Sequence, residues 1–306
     1  MSTSSMGTST PAKTIGLIGL GSLGSAIAAN LAERKQLHTV YNRHAEKTQA
    51  LVAMGVVAAG SVRELAQACT IVVSVVSDDA AVKAITEGPD GIAANLKPGG
   101  IHVSMSTILP STSEALATLH EKHGNQYLAC PVIGRPEAAR ARKLNFCVAG
   151  KAAAKQAVMD LLTEAGAVKC WDYGENPGSA NTAKLCTNFM LIAAIESIAE
   201  GLALAEHSEV DKRTVMTMLG QTIFNCPIYV NYGNTILEEK YQPAGFSLAL
   251  ALKDIKLVGH QAENVHLEMP FAGMLQDKME QFVGLGLGNH DLAALALEIE
   301  PAAGLR

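Results

Sequence analysis

Aromatic residues are scarce in this chain, with one Trp, six Tyr and six Phe among 306 residues, or 4%. Reading a single nucleic-acid strand by stacking needs aromatic platforms on a basic surface. Neither is supplied, because 24 Lys and Arg face 29 Asp and Glu for a net charge of −5, and the basic cluster from Arg135 to Lys143 does not alter that balance. Charge of either sign is sparse at 17%, whereas hydrophobic residues reach 48%. That excludes a chain held open by its own charge and leaves ample material for a core. The six cysteines, at 69, 130, 147, 170, 186 and 226, contain no C-x-x-C pair and no zinc-type spacing. They read as scattered thiols of a reduced, cytoplasmic protein. The nine histidines form no H-E-x-x-H set, so no metal is expected. No uninterrupted apolar run reaches the ~18 residues of a membrane span. The most apolar helix-length stretch, 189–205, is interrupted by Glu196 and Glu200. Residues 1–12 are rich in Ser and Thr without an apolar segment, and read as a flexible tail instead of a secretory signal.

What is present is an alternation of two periods. Short apolar strands are expected at 14–19, 38–41, 56–58, 71–76, 101–104 and 127–131, with helical patterns between them at 23–33, 45–54, 61–69, 80–85 and 111–123. Ser61 followed three residues later by Glu64 has capping-box spacing. Strands alternating with helices imply crossover units and a parallel sheet. Two further apolar runs, 145–149 and 168–171, flank a helical stretch at 152–165 and are expected to extend that sheet. After Gly178 the pattern becomes helix upon helix, at 179–206, 211–219, 227–237, 247–263, 270–283 and 291–297. Pro270 suits a first helical position, and Asp211 and Asp291 suit N-caps. The loop residues Gly174, Asn176, Pro177 and Gly178 mark the boundary. The expected organisation is therefore a tail (1–12), an α/β domain of the doubly wound Rossmann type (13–176) and an all-helical domain (177–306). They are joined by a helix about 42 Å long at ~1.5 Å per residue.

Gly19-Leu20-Gly21-Ser22-Leu23-Gly24 reads G-x-G-x-x-G directly after the first strand and at the start of a helix. In that context Gly19 permits the tight turn, Gly21 lets backbone approach a pyrophosphate, and Gly24 allows close helix–strand packing. The helix N-terminus then offers N–H groups to the anion. Where an NAD-type site places Asp or Glu after the second strand, this chain has Asn42-Arg43-His44, with Lys47 a turn further on. No carboxylate is there to repel a 2′-phosphate, and Arg43 is suited to pair with one, so NADP(H) is expected over NAD(H). Val76 and Ser77, at the end of the 71–76 strand, complete the cofactor candidates in this half.

A second informative stretch runs from Gly178 to Asn188. Asn181, Lys184 and Asn188 are spaced i, i+3, i+7 and share one helix face amid apolar Leu185, Phe189, Leu191 and Ile192. A polar stripe on an apolar helix at a domain junction fits a cleft, and the active site is expected between the two domains.

The glycine fingerprint, the Lys184–Asn188 pair and the two-domain layout resemble the β-hydroxyacid dehydrogenase family. That family includes 3-hydroxyisobutyrate dehydrogenases and glyoxylate/succinic semialdehyde reductases, and is related to 6-phosphogluconate dehydrogenase. Met105-Ser106-Thr107, and Phe246 with Leu252-Lys253-Asp254-Ile255, agree with it as well. The resemblance implies that Thr107 and Lys253 contact the cofactor and that Phe246 and Asp254 line the active site. It also implies that Lys184 is the general acid in the reducing direction, with Asn188 holding the substrate oxygen or orienting the lysine. One stretch departs from the family. Its substrate loop reads close to P-V-S-G-G, where this chain has Pro131-Val132-Ile133-Gly134-Arg135. Ile133 replaces a hydroxyl donor whose loss against a charged group costs ~1.5–3 kcal/mol. Either Arg135 takes over a substrate carboxylate by a bidentate pair, or the substrate carries none there. The expected activity is NADPH-dependent reduction of a small aldehyde or keto compound by a homodimer. Imine reduction on the same scaffold, and non-catalytic NADP(H) binding or sensing, are the alternatives.

Overall fold

The computed structural model describes residues 13–297, together with the backbone of the short pair Ile299–Glu300 and Gly304–Leu305. The expected tail at 1–12 lies outside the described residues. The chain divides into two compact units. One comprises the residues up to Ser106 and Ser111–Ala180; the other comprises Thr107–Pro110 and the chain from Asn181 onward. Thr107–Pro110, placed by sequence in the first domain, thus groups with the second unit.

The first unit is built on six strands: β1 (Ile15–Ile18), β2 (Leu37–Tyr41), β3 (Val57–Ala58), β4 (Ile71–Ser74), β5 (Ile101–Ser104) and β6 (Gln126–Ala129). Every residue of β1, β4 and β5 is buried, as expected for parallel strands covered on both faces. The order is β3-β2-β1-β4-β5-β6 with every pairing parallel. This is the Rossmann arrangement, in which the chain direction of progress reverses between β1 and β4. The register aligns Ile18 with Tyr41 and Ser74, and Ser74 with Ser104. The loops that follow these strands consequently emerge along one edge. Leu17, Ile27, Leu31, Val73, Val103, Leu128, Phe146 and Leu162 form the larger core of this unit. Helix starts follow the sequence signals: the Ser61 hydroxyl accepts from the Glu64 N–H at 3.1 Å, and the Glu64 carboxylate returns to the Gly60 N–H at 2.7 Å.

One expectation is corrected. The runs near 145–149 and 168–171 do not extend the six-stranded sheet. They form β8 (Leu144–Val148) and β9 (Ala167–Asp172) of a separate three-stranded sheet, with β7 (Val132–Ile133) antiparallel to β8 and β9 parallel to it. A single bridge, Ala129 to Ala149, connects the two sheets. Pro131 explains the break. It accepts from the Cys147 N–H at 3.0 Å but has no N–H to return, so the ladder cannot continue through it. Of two segments read as helices, 45–54 begins as three-residue-per-turn helix at Ala45–Thr48 and continues as α-helix at Gln49–Val52, whereas 291–297 is three-residue-per-turn helix at Leu292–Ala296.

The second unit is helical. Its principal helix is Pro177–His207 from Asn181 onward; the full helix has 31 residues and is about 46 Å long at ~1.5 Å per residue. By length and composition this helix could cross a membrane, although Glu196 and Glu200 interrupt its most apolar stretch. Here it packs as a core helix. Ile192 and Ile195 are fully buried, and Leu185, Ile198 and Leu202 join Leu252, Ile255, Leu275, Met279, Phe282 and Leu292 in one cluster. Its buried Glu196 is paired with Lys278 of the Pro270–Gly284 helix. Asp211 and Asp291 both cap as expected, the former accepting from the Arg213 and Thr214 N–H groups, the latter from Ala293.

A buried polar chain crosses the first unit. The Asn125 amide donates to Ala93 O and Leu96 O, which turns its oxygen to His120 Nδ1. His120 Nδ1 therefore carries the proton and Nε2 accepts from His102 Nδ1 at 3.0 Å. His102 Nε2 then accepts from the Ser74 hydroxyl at 2.8 Å. Burial lowers His120 to about 4 against a smaller raising contribution from Asn125, and holds His102 well below the ordinary range. Both rings are neutral in the fold. The unfolded chain protonates its histidines below pH ~6.5, so it takes up protons that the folded state refuses. Stability should be insensitive to these rings above pH ~6.5 and fall by up to about 1.4 kcal/mol per pH unit for each ring below it. Urea unfolding between pH 7.5 and 4.5 checks this, and replacing His102 and His120 by Asn and Gln should flatten the slope.

Candidate active site

The glycines of the first loop have three different reasons to be glycine. Gly19 has φ +99°, and a Cβ there would lie 2.2 Å from the Val75 carbonyl oxygen. A Cβ on Gly24 would lie 2.1 Å from Gly19 O, so the helix Ser22–Glu33 packs directly against the turn. Gly21 is the N-cap of that helix, and the space beside its Cα is open to 4 Å. Nothing among the described residues requires glycine at 21, and the open space leaves the first-turn N–H groups accessible to an anionic group. The loop thus fits a dinucleotide pyrophosphate. Leu20 is buried, Leu23 packs on the core, and Ser22 is exposed.

Asn42 has a role the sequence reading did not assign. Its oxygen accepts from the Leu20 N–H at 2.8 Å and its NH2 donates to His44 O, so it braces the glycine loop from the end of β2. Arg43 and Lys47 are exposed on the same segment, and the Glu46 carboxylate between them lies 3.8 Å from His44 Nδ1. After β4, the Val76 N–H donates to the Ser106 hydroxyl at 3.0 Å, and the Ser77 hydroxyl donates to Asp78, which caps the helix Asp79–Thr86. Ser106 is thus a loop brace, a role that its place in Met105-Ser106-Thr107 after a strand does not by itself disclose. Ile133 ends β7 opposite Asn145. Gly134 follows with φ +151° and no room for a Cβ, which would meet Leu144 Cδ2 at 2.5 Å. The half-buried Arg135 then precedes the helix Pro136–Arg140.

The second unit gathers four of its candidates into one network. On the long helix Lys184, half-buried, stands one turn before the buried Asn188. Asn188 Nδ2 donates to Asp254 Oδ2 at 2.5 Å. The other oxygen of Asp254 lies 2.6 Å from the Lys253 ammonium, an ion contact, and Lys253 also donates to Thr107 O at 2.9 Å. Asp254 is 3% exposed, so its charge is held by these two partners instead of solvent. Since the carboxylate only accepts, Asn188 presents its NH2 to Asp254 and keeps its carbonyl oxygen for another donor. Phe246 packs against the core of this unit from the segment before the helix Leu248–Asn264.

Residues 14–174 match the profile of the NAD binding domain of 6-phosphogluconate dehydrogenase. Residues 178–298 match that of the NAD-binding domain of NADP-dependent 3-hydroxyisobutyrate dehydrogenase. The chain is 38% identical over 281 residues to the uncharacterized oxidoreductase YfjR of Bacillus subtilis, covering 92% of this chain and 98% of YfjR. It is 28% identical over 295 residues to the cytokine-like nuclear factor N-PAC of Danio rerio, covering 96% of this chain but only 63% of N-PAC. Among solved structures, the 3-hydroxyisobutyrate dehydrogenase of Mycobacterium tuberculosis with L-serine has the same fold. It aligns with a TM-score of 0.84 at 23% identity, covering 93% of this chain and 98% of that one. These matches define an oxidoreductase class with NAD(P)-binding domains. Within it, the chain belongs to the 3-hydroxyisobutyrate dehydrogenase-like β-hydroxyacid dehydrogenases.

The glycine loop yields a paired prediction. Gly21→Ala should leave thermal stability close to that of the parent while weakening dinucleotide binding at least tenfold by fluorescence titration. Gly24→Ala should lower the melting temperature outright, because its Cβ meets backbone.

Proposed function

We propose that this protein is an NADPH-dependent reductase of a small aldehyde or keto compound, with Lys184 as the proton donor. The observation that carries the reading is the fixed Asn188–Asp254–Lys253 network one helical turn from Lys184. A module that only holds a dinucleotide has no need of it. Bound NADPH supplies the hydride. Lys184 donates a proton from its ammonium to the carbonyl oxygen as the alkoxide develops, and takes it back in the oxidising direction. The free Asn188 oxygen orients the lysine or accepts from the product hydroxyl. Phe246 supplies an apolar wall. Preference for NADPH is supported by Arg43 and Lys47 in place of the acid that would hold ribose hydroxyls. Ile133 and Arg135 stand for substrate choice, with Arg135 proposed to receive a carboxylate where the substrate has one.

The decisive experiment is NADPH consumption with glyoxylate, succinic semialdehyde, uncharged aldehydes and a cyclic imine. Turnover of a carbonyl should fall ~10²–10⁴-fold in Lys184→Ala. Arg43→Ala should weaken NADPH binding tenfold or more and leave NADH binding unchanged. Turnover of the imine alone would assign the protein to imine reduction, and tight NADPH binding without turnover would favour a sensor.

We also propose a cytoplasmic homodimer. All six cysteines are free thiols, in keeping with a reducing compartment. On the long helix Cys186, Met190, Ser197, Gly201 and Leu204 are exposed along one face bordered by Glu200, with Met190 68% and Leu204 71% exposed. An exposed stripe of this kind is self-complementary about a two-fold axis. Replacing Met190 and Leu204 by Glu should convert the dimer to a monomer in light-scattering chromatography.

A further inference from the structure

We infer that Asp291 is a positioning residue for the substrate pocket, acting through Phe246; the inference rests on the reductase reading above. The segment 241–247 has no strand or helix of its own and is fastened by residues 290–292. The Asp291 N–H donates to Tyr241 O at 2.8 Å, the Leu292 N–H to Phe246 O at 2.8 Å, and the Leu248 N–H to His290 O at 2.9 Å. The carboxylate does the remainder. Its Oδ2 accepts from the Gly245 N–H at 2.9 Å and from the Phe246 N–H at 3.1 Å, while Oδ1 accepts from Ala293 at 3.1 Å. Asp291 is 4% exposed, so these backbone donors stand in for water.

One carboxylate therefore serves two structures at once. It caps the short helix Leu292–Ala296, and it clamps both amides that set where Phe246 lies. The clamp also reaches the reacting groups by a short path. Ser247 follows directly as the N-cap of Leu248–Asn264, and Lys253 and Asp254 lie within the second turn of that helix. Displacing Phe246 would alter the wall against which a substrate is held, and binding lost equally from ground state and transition state appears in KM. The glycine loop that would hold the dinucleotide belongs to the other unit, and Lys253 keeps its own contacts to Thr107 O and Asp254.

Asp291→Ser separates the two duties. A serine hydroxyl can still cap Ala293 but is too short to reach Gly245 and Phe246. The expected result is a rise of about tenfold or more in KM for the carbonyl substrate. kcat should stay within about threefold and NADPH affinity should be unchanged, while the Gly245 and Phe246 amides lose protection from hydrogen exchange. In a Phe246→Ala background the serine substitution should add little to KM, because the two changes act on one element. Should Asp291→Ser fail to fold, Asp291→Asn offers the same readouts with an isosteric side chain that can accept at one end only. An unchanged KM per folded site, or full additivity with Phe246→Ala, would overturn the inference. Absence of wild-type turnover with every carbonyl would instead overturn the reductase reading, and unchanged amide exchange in the variant would overturn the clamp in that case as well.

Discussion

The buried carboxylate of Asp254 is the constraint on which the candidate chemistry depends. A carboxylate shielded from water must be met by donors or it costs several kcal/mol. Two groups meet it, one neutral and one cationic, and each is fixed in consequence. Asn188 is turned so that its amide hydrogens face the acid. Lys253 is drawn to the same acid and spends another proton on the Thr107 carbonyl. A single buried charge thereby orders residues separated by 147 positions of sequence, counted from Thr107 to Asp254. Removing it would strand an ammonium and an amide together, which is why the effect would exceed the worth of either hydrogen bond alone.

The first unit solves a different problem by register. Parallel strands whose ends align deliver their loops to one edge, and the reversal between β1 and β4 opens a crevice there. Side chains then hold each loop in place: Asn42 under the glycine turn, Ser106 under Val76, Asp78 under Ser77. The groups that would meet a ligand are mostly backbone N–H groups and exposed cations, while the braces are buried or half-buried. Positioning and contact are thus divided between different residues.

Much of this was legible in the sequence because the signals are local. The glycine spacing, the capping residues Ser61, Asp211 and Asp291, and the start of the Pro227–Leu237 helix each depend on a few neighbouring positions. What escaped depends on groups distant in sequence. That Asn42 braces Leu20 instead of standing free for a ligand requires knowing the β1–β2 register. That the runs at 144–148 and 167–172 leave the main sheet turns on the missing N–H of Pro131, a single absent donor with no periodicity to announce it. Asp291 was legible as a cap and illegible as a clamp, since its second set of partners lies 45 residues earlier in the chain.

The separate sheet formed by β7, β8 and β9 has an evolutionary consequence. Ile133, Gly134 and Arg135, where this chain departs from its family's pattern, sit at the end of β7 and not on a strand of the dinucleotide sheet. One bridge at Ala129 and Ala149 links the two frameworks. Changes of side chain there are absorbed by a small sheet with its own hydrogen bonds, while the strand ends that cradle the cofactor keep their register. In the proposed reading, this architecture would let substrate preference change at the small sheet while the dinucleotide sheet and its reducing chemistry stay as they are.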